Sequence, residues 1–288
     1  MPGAAGDQAF DEIWITAQGG LRFHARGAGS GRLVLLLHGF PQCWYCWRWQ
    51  IPALAPRYRA VAPDLRGYNL SDKPAGGYDV DTLAGDVVAL IRALGHDRAV
   101  VVGHDWGGAI AWVVALRYPE VVEALAILNA PHPAAYRRAL RRYPRQLLRS
   151  WYVGFFQIPF LPEQLLTAFG GRLTAVLLRG SARRHTFTPA DLAVYRAAIT
   201  VPGAARAALA YYRALPRRLR SVDDWSRRIE CPTLVLWGER DPALDLALLD
   251  ELDRWVPNLT VRTFPGATHW IPEDAPDEVN RALLDWLA

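Results

Sequence analysis

A chain of 288 residues, 51% hydrophobic and 21% charged, has room for one large α/β domain with an insertion or for two ordinary domains, and its composition excludes a disordered chain. The net charge of +5 rests on arginine, with Lys73 the single lysine, and reads as compositional bias rather than a nucleic-acid footprint. No apolar run approaches the ~20 residues needed to cross a bilayer, and the opening MPGAAGDQAFDE has no charged segment followed by an apolar one, so the expectation is a cytoplasmic protein without stable membrane insertion.

Ile13 to Thr16 and Leu21 to Ala25 alternate around Gly19-Gly20, which predicts an opening β-hairpin. Leu33 to Leu37 is continuously apolar and predicts a central strand buried on both faces. It runs into His38-Gly39-Phe40-Pro41 and then Trp44, Tyr45, Trp47 and Trp49, whose close spacing predicts core packing. Cys43 and Cys46 form a C-x-x-C, but no second Cys or His pair lies at ligand spacing. These two and Cys231 are expected to be buried free thiols, and neither a metal nor a cofactor is expected.

Tyr58 to Pro63 predicts the next strand, and Leu83, Val87, Leu90 and Ile91 mark a helix from Asp81 to Leu94. Ala99 to Val102 is β-branched and apolar; it meets Gly103-His104-Asp105-Trp106-Gly107-Gly108, and a helical pattern follows to Arg117, stopped by Pro119. Strand, glycine-punctuated sharp turn, then helix is the layout of a nucleophile elbow, with Asp105 where the common form has serine. A seryl oxygen alkylated by a saturated carbon gives an ether that water cannot readily cleave, whereas a carboxylate gives a cleavable ester. A free Asp, with a pKa of about 3.9, is already ionised at pH 7 and needs no base to activate it. An aspartate elbow therefore suits an electrophilic sp³ carbon, as in epoxides or alkyl halides.

A strand from Glu123 to Leu128 ends at Asn129, and the strand–helix rhythm then breaks. Residues 131–222 contain helical stretches and many prolines, including a helix start at Thr188-Pro189-Ala190-Asp191 and a helix from Gly203 to Leu215. Arg137, Arg138, Arg141, Arg142, Arg145 and Arg149 read as a solvated helix face, because the leucine and aromatic content there is too low for strong insertion; membrane contact is left open. Thr233 to Trp237 resumes the strand pattern, followed by a helix to Trp255, a strand from Thr260 to Phe264 and a C-terminal helix. The expected fold is α/β, a mostly parallel central sheet with helices on both faces. Its core comprises residues 1–130 and 223–288, and 131–222 form an inserted helical cap.

In open parallel sheets function collects at the carboxyl ends of the strands. Those positions hold His38-Gly39-Phe40, Asp105, Asn129, Asp241 and His269, and nucleophile, acid, histidine is the chain order of the α/β-hydrolase layout. His269 is the candidate base and Asp241 its candidate partner, with Asp245 and Glu239 as nearby competitors. His38 and His104 flank the site in structural roles. His24, His96, His132 and His185 read as surface or packing residues.

The segments HGFPQCWYCWRWQIPAL, APDLRGYNLSDKP, GHDWGGAIAW, ILNAPHP, GERD and ATHW resemble the soluble-type epoxide hydrolases of the α/β-hydrolase superfamily, in order and over nearly all the chain from Phe10. The resemblance implies Asp105 as nucleophile, His269 as the base that activates water and Asp241 as its acid. It implies backbone N–H groups of Phe40 and Trp106 as the oxyanion hole, each such donor typically worth ~3 kcal/mol. It further implies Tyr152 and Tyr212 as lid phenols that bind the epoxide oxygen, with Tyr211 and Phe155 as neighbours should either match be shifted. Trp106 and Phe40 would then also line the substrate site. The departure at Cys46 carries no functional implication.

The closest rival is a dehalogenase, haloalkane or haloacetate, with the same aspartate. Haloalkane dehalogenases usually have Asn where Phe40 stands; haloacetate dehalogenases usually have arginines where Trp106 and Ala109 stand. A non-catalytic binding protein on this scaffold is disfavoured because nucleophile and base are both present. The implied partner is a small-molecule epoxide. Its identity, the enantioselectivity and the oligomeric state, a homodimer included, are left open.

Overall fold

The computed structural model describes residues 10–17, 19–220, 225 and 227–288; most of the opening segment and the expected boundary at 222/223 lie outside these. The predicted hairpin is β1 (Asp11–Thr16) and β2 (Arg22–Ala28), paired antiparallel. Then come β3 (Leu33–Leu37), α1 (Gln50–Leu54), β4 (Arg59–Pro63), α2 (Val80–Ala93), β5 (Ala99–His104), α3 (Trp106–Arg117) and β6 (Val122–Leu128). Six helices follow: α4 (Pro133–Arg142), α5 (Pro144–Arg149), α6 (Trp151–Phe155), α7 (Leu161–Ser181), α8 (Pro189–Thr200) and α9 (Ala204–Arg220). β7 (Thr233–Gly238), β8 (Leu259–Phe264), α10 (Ile271–Asp274) and α11 (Pro276–Leu287) complete the chain.

The eight strands form one sheet in the order β1-β2-β4-β3-β5-β6-β7-β8, parallel from β4 onward. β3 and β5 are buried along their whole length, as continuous apolar runs require. Side chains alternate across the pleat: Leu35, Leu37 and Val101 pack on one side with α2 and α3, while Val34, Leu36, Val100 and Val102 pack on the other with α1 and α11. The chain leaves β3 toward one edge and β5 toward the other. The loops after β3 and β5 therefore open side by side at the switch point, where ligand sites form in such sheets. No helix among the described residues is long and apolar enough to cross a membrane.

Several sequence expectations change. The helix expected before Trp255 is two short 3₁₀ turns, Leu246–Leu249 and Leu252–Arg254, because Asp245 caps the first and Glu251, at φ 58°, breaks the path between them. The helix expected to stop at Leu215 continues through Pro216. Proline has no N–H for the carbonyl four residues back; that carbonyl, on Tyr212, accepts from Gln157 Nε2 at 3.0 Å instead. Of the four aromatics after Pro41, Trp47 is fully buried while Trp44, Tyr45 and Trp49 are half-buried, the last two lying beneath the Arg48 guanidinium. Cys43 and Cys46 are buried free thiols, but Cys231 is only partly covered. His24 is buried with a specific partner, its Nδ1 lying 2.6 Å from Asp64 Oδ2. The arginine run is not simply solvated: Arg138 pairs with Glu251, and Arg145 and Arg149 reach Asp245.

Candidate active site

Asp105 stands alone between β5 and α3 at φ 51°, ψ −120°, a backbone conformation that costs of order 1–3 kcal/mol for a non-glycine residue. Hydrogen bonds hold it there: its N–H donates to Leu128 O at 3.3 Å and its carbonyl accepts from Ala109 N at 2.9 Å. The glycines around it are steric necessities. A Cβ at Gly107 would overlap the Leu37 and His38 carbonyls, and one at Gly39 would overlap the Asp105 carboxylate itself.

The neighbouring loops converge on that carboxylate. The Phe40 N–H donates to Oδ1 at 2.7 Å. His269 Nε2 lies 3.4 Å from Oδ2, and His269 Nδ1–H donates to Asp241 Oδ2 at 2.7 Å. Asp241 is further held by N–H donors from Ala243 (2.8 Å) and Leu244 (2.9 Å) and by Asn129 Nδ2 (2.8 Å). Asn129 Oδ1 in turn accepts from Gly238 N at 2.8 Å. Asp245 instead caps a 3₁₀ turn and pairs with arginines, and Glu239 is exposed.

Burial disfavours the His269 imidazolium, but the charges and hydrogen bonds of Asp241 and Asp105 override it and raise its pKa to about 10. Burial likewise opposes ionisation of Asp105, yet the His269 hydrogen bond and charge keep its pKa below the ordinary value. The resting site is thus a cation shared by two carboxylates. His104 behaves oppositely: burial and the His269 charge push it down to about 4. It is therefore neutral and donates from Nε2 to the His269 carbonyl at 2.8 Å. His38 accepts from Leu65 N at 3.0 Å and donates to the Gly39 carbonyl at 3.0 Å, fixing the loop that carries Phe40.

Two cavities, of about 100 and 220 Å³, meet at Asp105, Tyr152 and Tyr212, which line both. Trp106 belongs to the smaller; Phe40, Phe156 and His269 belong to the larger. Tyr152 and Tyr212 meet edge to face at 5.9 Å, and Tyr212 also packs on Phe40, Trp106 and Phe156. Burial raises both phenols well above their ordinary pKa, so both are neutral donors at pH 7. Tyr211 points elsewhere, its hydroxyl bonded to the Arg66 carbonyl at 2.7 Å. Phe155 packs against Trp151 and Phe156 outside both cavities. Of the two expected N–H donors, Phe40 engages Asp105; among the described residues no hydrogen bond joins the Trp106 backbone N–H to that carboxylate.

Sequence reasoning missed three supports. Asn129 was visible at a strand end, but its grip on Asp241 was not. Gln157 joins the helix of Tyr152 to that of Tyr212 through the carbonyl that Pro216 leaves free, and its signal was a proline inside a helical pattern. Glu273, buried one turn after His269, accepts from Gln42 and Tyr195 and from Arg48 Nη1 at 2.7 Å. Burial raises Glu273 to about 7 against the pull of Arg48. This network ties the His269 segment to the loop after β3 and to α8.

Comparison with known proteins places these features in context. Residues 32–276 match the α/β hydrolase fold family. The chain is 40% identical to an AB hydrolase superfamily protein, YfhM, of Bacillus subtilis, covering 93% of this chain and 95% of that one. It is 38% identical to human epoxide hydrolase 4 over 93% of this chain and 76% of the relative. An inhibitor complex of Bacillus megaterium epoxide hydrolase superposes with a TM-score of 0.88 at 31% identity, covering 96% of this chain and 99% of that structure.

Proposed function

The chain belongs to the epoxide hydrolases of the α/β-hydrolase superfamily, and from that premise we propose that it hydrolyses small-molecule epoxides to vicinal diols through an ester on Asp105. The observation that carries this reading is the junction of two cavities at Asp105, Tyr152 and Tyr212, where an ionised carboxylate and two neutral phenols line the same space.

In the first step an Asp105 oxygen attacks an epoxide carbon from the back. The C–O bond breaks and the departing oxygen takes a proton from Tyr152 or Tyr212. The product is a hydroxyalkyl ester. In the second step the His269 imidazolium passes its proton to the tyrosinate, and the neutral ring then removes a proton from water, which adds to the ester carbonyl. The N–H groups of Phe40 and Trp106 receive the oxyanion, and the tetrahedral adduct expels the second alkoxide, which is protonated by His269. The carboxylic acid proton then passes to His269, which restores the imidazolium–carboxylate pair, so the sum is epoxide plus water to diol. Asp241 holds the imidazole in register throughout. Residues 131–222 act as the cap that carries the two phenols, over a core of 1–130 and 223–288.

Incubation with styrene oxide, cis-stilbene oxide and a panel of bromoalkanes tests the reading. Diol formation from an epoxide is expected. Halide release without diol would assign the site to dehalogenation, and neither product would leave a binding protein.

A further inference from the structure

α7 is broken at Ala168–Gly171, and the break presents Phe169, 79% exposed, at φ 52°. A bulky apolar side chain held in water on a left-handed backbone is doubly unfavourable for folding alone. Beyond the break, Thr174 and Leu178 turn inward, while Arg172, Leu173, Val176 and Leu177 form one outer stripe at helical spacing. Leu177 also lines the larger cavity at Asp105, together with Trp151 and Arg149. Trp151 is 69% exposed and Leu148, just before it, 74%. The mouth of the cavity is thus fringed with uncovered apolar side chains.

Charge accompanies this fringe. Between residues 131 and 185 there are ten arginines and one acidic residue, Glu163, which is tied to Arg213. Core acids take up Arg138, Arg145 and Arg149. Arg141, Arg142, Arg172, Arg179, Arg183 and Arg184 remain exposed. Three of these, Arg179, Arg183 and Arg184, line a cleft of about 510 Å³ with His185 at the end of α7, where Arg183 also donates to the Asp274 carbonyl.

We propose that this face of the insertion docks on the surface of an anionic lipid bilayer, with the arginine cleft taking headgroup phosphates and the cavity mouth turned toward the membrane. Exposed leucine and aromatic side chains enter the headgroup–acyl boundary while the arginines meet the lipid charge. Apolar epoxides dissolved in the bilayer then reach Asp105 without crossing water. A second copy of this chain is a poorer occupant, because a two-fold interface would set the same arginines against each other.

The test is co-sedimentation with vesicles of phosphatidylcholine alone and of phosphatidylcholine mixed with phosphatidylglycerol. Because it reads binding without turnover, it stands apart from the proposed activity. Wild type is expected to sediment with the mixed vesicles only and to be released by salt. Arg172→Gln with Arg179→Gln should weaken binding about 30-fold, and Leu148→Glu with Phe169→Glu should abolish it. Both variants should keep wild-type turnover of styrene oxide. Wild-type protein that stays in the supernatant with both vesicles, or binds both equally, overturns the proposal. So does a dimer in light scattering that the Phe169→Glu variant splits, since the face would then be a self-interface.

Discussion

His269 Nε2 lies 3.4 Å from Asp105 Oδ2 while Nδ1 of the same ring is 2.7 Å from Asp241, so one imidazolium is shared by two carboxylates. Esterification of Asp105 would remove one of the two charges that hold the proton on His269. The ring would then give up its proton more readily at the step where the proposed mechanism requires a base, so the first reaction would prepare the second.

Replacing His269 with glutamine keeps the carboxylate and the phenols but removes the proposed base. The expected outcome is ring opening followed by arrest: intact-mass spectrometry of His269→Gln with an epoxide should find one covalent adduct of substrate mass. Full turnover by this variant would exclude His269 as the base.

In the proposed mechanism the phenols act on the other half of the cycle. A positioned general acid contributes typically ~10²–10⁴-fold, so Tyr152→Phe with Tyr212→Phe should lower the rate of ester formation by at least about that factor. Circular dichroism should be unchanged. Wild-type turnover by the double variant would show that the lid assignment is wrong.

Asn129 is a positioning residue: it donates to Asp241 and accepts from Gly238 without touching Asp105. A hydrogen bond to a charged group contributes about 1.5–3 kcal/mol. Asn129→Ala should therefore slow ester hydrolysis about 10- to 150-fold while leaving ring opening near wild type. Rapid-quench kinetics should reveal a pre-steady-state burst of adduct. Equal slowing of both steps would point to a general disturbance of the fold instead.

Stability should carry the same signature. His269 binds its proton more tightly in the folded protein, at about 10, than in the unfolded chain, at about 6.5. Its contribution is fully present below about pH 6.5 and is lost as pH rises through about 10. The gap in urea midpoint between wild type and His269→Gln should accordingly shrink on going from about pH 6 to about pH 10.5. A gap that stayed constant or widened would contradict the shared-proton geometry.

What the sequence makes legible here is what is local. Strand, glycine turn and helix lie within twenty residues, so Asp105 and its elbow can be read directly, and the candidate acid and base follow from strand ends in chain order. Whether Tyr211 or Tyr212 faces the site depends on the rotation of α9, which packing decides: Tyr211 is turned to the Arg66 carbonyl and Tyr212 to the cavities. Arg48 and Glu273 are 225 residues apart, and no local pattern announces their pairing. The arginine run has a neighbour that no local pattern announces: Leu177 of α7 lines the same cavity as Arg149, brought there only by the fold.

The most direct test of the central claim is a single turnover in ¹⁸O-labelled water followed by peptide mass spectrometry. The ester mechanism predicts label in the Asp105 side chain and none in the first diol released. Label appearing in that first diol, with Asp105 unlabelled, would mean that water attacks the epoxide directly and that Asp105 is not the nucleophile.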